Sequence, residues 1–202
     1  MKKIVFVAFI TAIMLSNCSN ENNNATSVSL NQAEINDLKF LREEEKLARD
    51  VYLYAYNKHQ AVIFSNISQS EQTHMNSVLN LMNKYGIPDS ASTEIGVFNN
   101  PDLQTLYNSL TKQADISLIE ALKAGATIED LDINDIDNFT VNTTKPDLLN
   151  VYGNLNCGSK NHIRAFTSQL EINGATYVPQ FISLEEYNVI LNSPSGGCGN
   201  NK

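Results

Sequence analysis

Five residues of metal-binding type stand where aliphatic side chains would be expected: Glu45, Glu71, His74, Glu129 and His162. Each interrupts an apolar stripe near the middle of a long periodic segment. Segments of similar length packed side by side place their middles at one height, so the five side chains should converge in one layer of a core. A buried carboxylate costs on the order of several kcal/mol even after the protein relaxes around it. Three in one layer repel one another unless they are protonated, paired with cations or neutralised by metal. Carboxylate together with imidazole suits iron, manganese or zinc. Glu71 and His74 are three residues apart, so both reach one ion from adjacent turns of a helix. Asp132, one turn beyond Glu129, is a further candidate ligand, and Tyr52, two turns from Glu45, is placed to lie near the same layer. The alternative is a polar core network without metal, for which Arg42, Arg49 and Arg164 are the available partners. His59, at the end of its segment, has no comparable placement and is expected to be solvated.

Four elements must position these groups, and all four read as helices. The first runs from about Asn31 to His59, with Leu38, Leu41, Glu45, Ala48, Tyr52 and Ala55 spaced by threes and fours. The second runs from about Ser65 to Tyr85, presents Phe64, Ile67, Glu71, His74, Val78 and Leu81, and stops at Gly86 and Pro88. The third covers about Ile116 to Ile136, with Ile119, Leu122, Ala126, Glu129, Ile133 and Ile136 in line; Gly125 weakens it but allows close packing. The fourth covers about Pro146 to Leu170, with Leu148, Tyr152, Leu155, Ser159, His162, Phe166 and Leu170 on one face. Pro146 suits its first turn.

Residues 86–114, which include a short amphipathic piece from Asp102 to Thr111, are long enough to cross from one end of a bundle to the other. The expectation is therefore an all-α four-helix bundle with a long crossover between its second and third helices. After Leu170 a tail with Gly174, Tyr177, Pro179 and a short helical run at Leu184 to Leu191 should pack across the bundle.

The chain has 202 residues, enough for one domain with a proper core, and a formal charge of −8 with 42% hydrophobic residues. That acidic balance argues against nucleic acid as a partner. Lys2 and Lys3 followed by the apolar stretch Ile4 to Leu15 and then Leu15-Ser16-Asn17-Cys18 resemble a bacterial lipoprotein signal, with lipid on Cys18. Asn17 departs from the usual small residue before the cysteine, and an ordinary secretory signal is the alternative; both mean export. The expected organisation is a signal peptide at 1–17, a flexible asparagine-rich tether at 18–30, a helical domain at 31–192 and a loose tail at 193–202. An exported protein permits Cys157 and Cys198 to pair, although spacing alone leaves this open.

Several stretches carry a resemblance to known families. Glu45-Lys-Leu-Ala48-Arg49-Asp-Val-Tyr52 resembles the first metal-binding helix of rubrerythrin-type proteins, and Glu71-Gln-Thr-His74 matches their E-x-x-H ligand pair. Taken together, REEEKLARDVY, SEQTHM, IEDLDI and SKNHIRAF resemble the ferritin-like family called domain of unknown function 2202, over about residues 35–190. The resemblance implies a ferritin-like bundle. It also implies that Glu45, and Glu71 with His74, bind metal; Glu129 and His162 rest on their stripe positions. One departure stands out: the fourth helix carries Ser159-Lys-Asn-His162 where rubrerythrin-like sites repeat E-x-x-H. Asp132 is the candidate replacement; otherwise the site holds a single ion, or a second one weakly.

Two functions follow as expectations. One is a di-metal oxidase or peroxide-reactive protein that binds iron (or manganese or zinc). No cysteine pair for an electron-transfer centre is present, so it would need an external reductant. The other is an envelope lipoprotein, anchored to a bacterial membrane, whose metal is structural or merely held. The sequence leaves a homodimer open.

Overall fold

The computed structural model describes residues 29–199, and among these every regular element is a helix. The expected signal peptide, Cys18 and most of the tether lie outside the described residues, as do residues 200–202. The elements are α1 (Gln32–His59), α2 (Val62–Lys84), α3 (Pro101–Ala114), α4 (Leu118–Val141), α5 (Pro146–Ile172) and α6 (Leu184–Asn192).

Local chemistry sets their ends. The Asn31 side chain accepts from the Glu34 amide while the Glu34 carboxylate accepts from the Asn31 amide, so the two satisfy each other's orphan donors at the start of α1. α1 ends on Gln60, which adopts the left-handed conformation at φ 55°, and Ala61 immediately starts α2. So short a turn forces α1 and α2 into a hairpin. Asn100, Ser117 and Ser183 accept from first-turn amides of α3, α4 and α6. Pro101 and Pro146 sit at the start of α3 and α5, where a missing N–H costs nothing.

Side-chain contacts fix the helix directions. Glu45 meets His74 and Arg49 meets Gln72, so α1 and α2 are antiparallel. Glu34 with Thr143 and Tyr52 with Glu129 make α1 and α4 antiparallel. Lys84 with Asp147 and Glu71 with His162 do the same for α2 and α5. Asp132 with Ser159 and Asp137 with Asn156 do so for α4 and α5. With every neighbouring pair antiparallel, α2 and α4 run the same way, and residues 85–117 must carry the chain back along the bundle. The all-α bundle with its crossover is thus as expected, and the short amphipathic piece within it is α3.

The crossover is fastened to the outer side of α1 by charged groups. Glu43 accepts from the amides of Asn99 and Asn100, both at 2.8 Å. The Lys46 ammonium, fully buried, donates to Asp50 at 2.5 Å and to the carbonyls of Glu94 and Val97 at 2.7 and 3.1 Å. It also lies 4.3 Å from the centre of the Phe98 ring. Asp50 in turn accepts from the Gly96 amide.

The apolar core comes in two parts. One groups Leu38, Leu41, Val78, Leu81, Ile136, Leu148 and Leu155; the other groups Val51, Phe64, Leu122, Ile163, Phe166 and their neighbours. Between them lies the layer of polar residues. Gly125 lets α4 and α5 close up on one side of that layer, since a Cβ there would stand 2.5 Å from the Phe166 ring.

After α5 the chain folds back over α4. Buried Asp130 accepts from the Tyr177 hydroxyl and from the amides of Gln180, Phe181 and Ile182. The glycine-rich end, expected to be loose, is instead fastened as far as Cys198. Cys157 and Cys198 form a disulfide with Cα atoms 5.6 Å apart, and the Asn161 side chain both donates to and accepts from the backbone of Gly196. His59 also departs from expectation. It is half-buried, with its Nε2 2.7 Å from the Ala114 carbonyl, and it ties the end of α1 to the end of α3.

Candidate metal centre

The five side chains singled out by spacing meet in one layer. Glu45 comes from α1, Glu71 and His74 from α2, Glu129 from α4 and His162 from α5, all near mid-helix. His74 Nδ1 lies 2.8 Å from Glu71 Oε2 and 3.2 Å from Glu45 Oε2. His162 Nδ1 lies 2.8 Å from Glu71 Oε1 and 3.4 Å from Glu129 Oε2. The two imidazoles are 5.7 Å apart and nearly parallel. Two donor triads result, Glu45–Glu71–His74 and Glu71–Glu129–His162, each with its ligand atoms within 4.8 Å of one another. Glu71 belongs to both and offers one oxygen to each.

Three observations bear on whether these groups suit a metal. First, Glu71 Oε1 and His162 Nδ1 are 2.8 Å apart yet neither has a hydrogen-bond partner. Two polar atoms that close without an aligned N–H···O form an ion pair when the imidazole is protonated, and a shared cation would equally bridge them. Second, Glu45 Oε1 and Asp132 Oδ1 are buried without a partner. Third, two ligands on one ion at right angles, with bonds of about 2 Å, stand roughly 3 Å apart, which is close to the imidazole–carboxylate spacings of 2.8 to 3.4 Å in both triads. The donor set of carboxylate oxygen and imidazole nitrogen fits iron, manganese or zinc.

The alternative partners are engaged elsewhere. Arg42 pairs with Asp89, Arg49 binds Asp50 and Gln72, and Arg164 donates to the Ile190 and Lys160 carbonyls. None of the three reaches the layer.

Neighbouring groups hold the ligands in place. The Tyr52 hydroxyl donates to Glu129 Oε1 at 2.5 Å, so Tyr52 does lie against the site. The Ser159 hydroxyl donates to Asp132 and thereby occupies the position where a second E-x-x-H would carry its glutamate. A carboxylate still reaches the layer, but from α4. Gly158 gives His74 its room, because a Cβ there would stand 2.6 Å from Cε1 and Nε2 of the ring.

Without metal, protons balance the charges. Burial opposes a charge on either imidazole, but Glu45 and Glu71 raise His74 well above its usual value, and Glu71 and Glu129 push His162 up to about 10. Burial would raise Glu71 too, yet the two flanking imidazoles hold it well below the usual carboxylate range. Desolvation pushes Glu45 up to about 7 against the pull of His74, and raises Glu129 against the pull of His162. Asp132 is raised well above its usual value by burial and by Glu45 and Glu129.

Spacing did not reveal Glu44. It is 2% exposed, faces α4, and is raised well above the usual range by burial and by Asp132 and Asp135. Glu44 falls off the stripe that Glu45 continues, and it is buried against α4.

Comparisons with known proteins place the chain. The model of the family described as "Uncharacterized protein domain (DUF2202)" matches residues 34–194. The protein MJ0754 of Methanocaldococcus jannaschii is 50% identical over 165 residues, which cover 81% of this chain and 89% of that protein. The crystal structure of MJ0754 superposes with a TM-score of 0.81 at 49% identity, covering 83% of this chain and 96% of that one. From Glu34 to Pro194 the match takes in all six helices and every residue of the candidate centre, and the chain belongs to the DUF2202 family.

Proposed function

We propose that this protein is an exported, lipid-anchored, ferritin-like metal-binding protein. Two transition-metal ions, iron or manganese before zinc, would sit between α1, α2, α4 and α5. Glu45, Glu71 and His74 would hold one ion; Glu71, Glu129 and His162 the other; and Asp132 would complete the shell from α4. The observation that carries this reading is Glu71, whose two oxygens each face a different imidazole–carboxylate pair. A carboxylate so divided can pair with two imidazoliums in the metal-free protein, and can equally give one oxygen to each of two ions.

When bound, iron or manganese would supply one-electron chemistry with oxygen or peroxide, in which case an external reductant is required. The chain's own residues would do the rest. Tyr52 fixes the orientation of Glu129, Ser159 fixes that of Asp132, and the imidazoles exchange their protons for metal. A second reading is a metal held for structure alone. It is favoured by the burial of all four carboxylates, none more than 5% exposed. The export and lipid anchor rest on Lys2, Lys3, the apolar run to Leu15 and Cys18, and the Cys157–Cys198 bond suits an oxidising compartment.

Metal analysis of the protein purified without added metal, followed by titration with Fe²⁺ and Mn²⁺, tests the proposal. Two equivalents are expected, and His74→Ala and His162→Ala should each lower the count and the melting temperature together. Full metal content in both variants would sink the site. Oxidation of bound Fe²⁺ by oxygen or peroxide, faster than for free Fe²⁺, separates the redox reading from the structural one. Membrane fractionation of wild type and Cys18→Ala tests the anchor.

A further inference from the structure

An acidic row continues along α4 beyond the proposed centre. Glu129, Asp132 and Asp135 are three residues apart, and across from them α1 presents Glu45 and then Glu44. Asp135 is half-buried and carries the row towards the surface; the Asn134 amide donates to it at 2.9 Å. Glu44 feels both Asp132 and Asp135, and is close enough to Asp135 to share a hydrogen bond with it when one of the two is protonated. It is 2% exposed, and no N–H or hydroxyl among the described residues donates to either of its oxygens. Three of the cations nearest Glu44 along α1 turn away: Arg42 to Asp89, Lys46 and Arg49 to Asp50. A carboxylate so buried and so surrounded by its own sign needs a positive occupant or a proton to be tolerated.

We propose that Asp135, Glu44 and Asp132 form a cation-transit site between α1 and α4, through which divalent metal reaches the proposed centre. This rests on the metal-binding reading above. The site offers only oxygen, which suits hard divalent ions such as Mn²⁺ and Fe²⁺ with part of their water retained. It lacks imidazole, and its three carboxylates do not close on one point as the two triads do. It therefore binds more weakly than the centre, which a passage requires: an ion must be attracted in and then let go. From Asp132, whose carboxylate feels both Glu45 and Glu129, an ion is beside the triads.

The test is the rate at which metal-free full-length protein takes up Co²⁺ in a stopped-flow mixer, read from the visible absorption of the bound ion. Glu44→Gln and Asp135→Asn should each slow loading about tenfold or more, the scale on which charge-lined clefts speed association. The final number of bound ions should not change. Glu44→Asp, which keeps the carboxylate, should load faster than Glu44→Gln. Asp137→Asn, which removes an exposed charge from the same helix, should load at the wild-type rate. Wild-type rates in both Glu44→Gln and Asp135→Asn would overturn the transit site and leave the centre standing. A wild type that takes up no Co²⁺ would overturn both. Equal slowing in Asp137→Asn would show general surface charge at work and overturn the route. Circular dichroism melts confirm folding, and half-buried Asp135 supplies the variant least able to disturb it.

Discussion

The hydroxyl of Ser159 on α5 donates to the carboxylate of Asp132 on α4, and this single bond replaces a second glutamate in the polar layer. Ser159→Ala removes the bond and frees Asp132 to turn. Groups that orient a ligand are worth about 10- to 100-fold in metal affinity, so the variant should bind its more weakly held ion about tenfold less tightly. Isothermal titration with Mn²⁺ measures this. Asp132→Asn should do at least as much harm. Unchanged affinity in both would remove Asp132 from the shell.

Protonation of the metal-free site gives a pH signature. His162 is pushed up to about 10 and Glu45 up to about 7, so the folded protein keeps protons that the unfolded chain releases. The Glu45 contribution is complete below about 4.5, its ordinary value, and fades as pH rises through about 7. The His162 contribution is complete below about 6.5 and fades as pH rises through about 10. The melting temperature of metal-free protein should therefore fall from pH 7 to pH 10. Saturation with Mn²⁺ should flatten that decline, and affinity for Mn²⁺ should rise with pH because protons must leave. A metal-free melting temperature that climbs over this range would contradict the charge balance described here.

Two glycines on α5 make an internal comparison. Gly158→Ala drives a Cβ to within 2.6 Å of the His74 ring, and overpacking of that kind costs roughly 1–3 kcal/mol. It should also weaken metal binding by displacing the imidazole. Gly153→Ala meets nothing within 4 Å and should stabilise the helix by about 0.5–1 kcal/mol. Chemical denaturation of the two variants checks the difference, and a neutral Gly158→Ala would mean that His74 is not held by α5.

The fastening of the crossover is testable apart from metal. Lys46→Met leaves buried Asp50 with Arg49 as its one cation and the Gly96 amide as its other donor, and breaking a buried pair costs about 3–5 kcal/mol. Residues 94–98 should then lose protection from hydrogen exchange while the number of bound metal ions stays the same. Metal loss in this variant would show that the two sides of α1 are coupled.

Much of this was legible in the chain. Stripe positions on four segments put Glu45, Glu71, His74, Glu129 and His162 in one layer because a buried helix face repeats every three to four residues. That rule is blind to burial from the other side. Glu43, Lys46 and Asp50 lie on the outer side of α1, where periodicity assigns solvent, and only the returning crossover covers them. Glu44 is hidden for another reason: it stands beside the stripe and is buried against α4. The Ser159–Asp132 bond depends on the register between α4 and α5, which no single helix encodes. His59 reads as solvated because it lies off the stripe, and its partner, the Ala114 carbonyl, is a backbone group that leaves no mark in a sequence.

The two triads differ in what must be built before they exist. Glu45, Glu71 and His74 all lie on the α1–α2 hairpin, joined by the turn at Gln60 and Ala61. An ion there needs only neighbours close along the chain, and loop closure on that scale is fast. The other triad keeps Glu71 but takes Glu129 and His162 from the far hairpin, so its ion can be held only after residues 85–117 have carried the chain back. A cation present during folding would thus act at two separate moments. If the centre holds two ions, one would clasp the hairpin while it is still alone and the other would lock two finished halves together, each through one oxygen of Glu71.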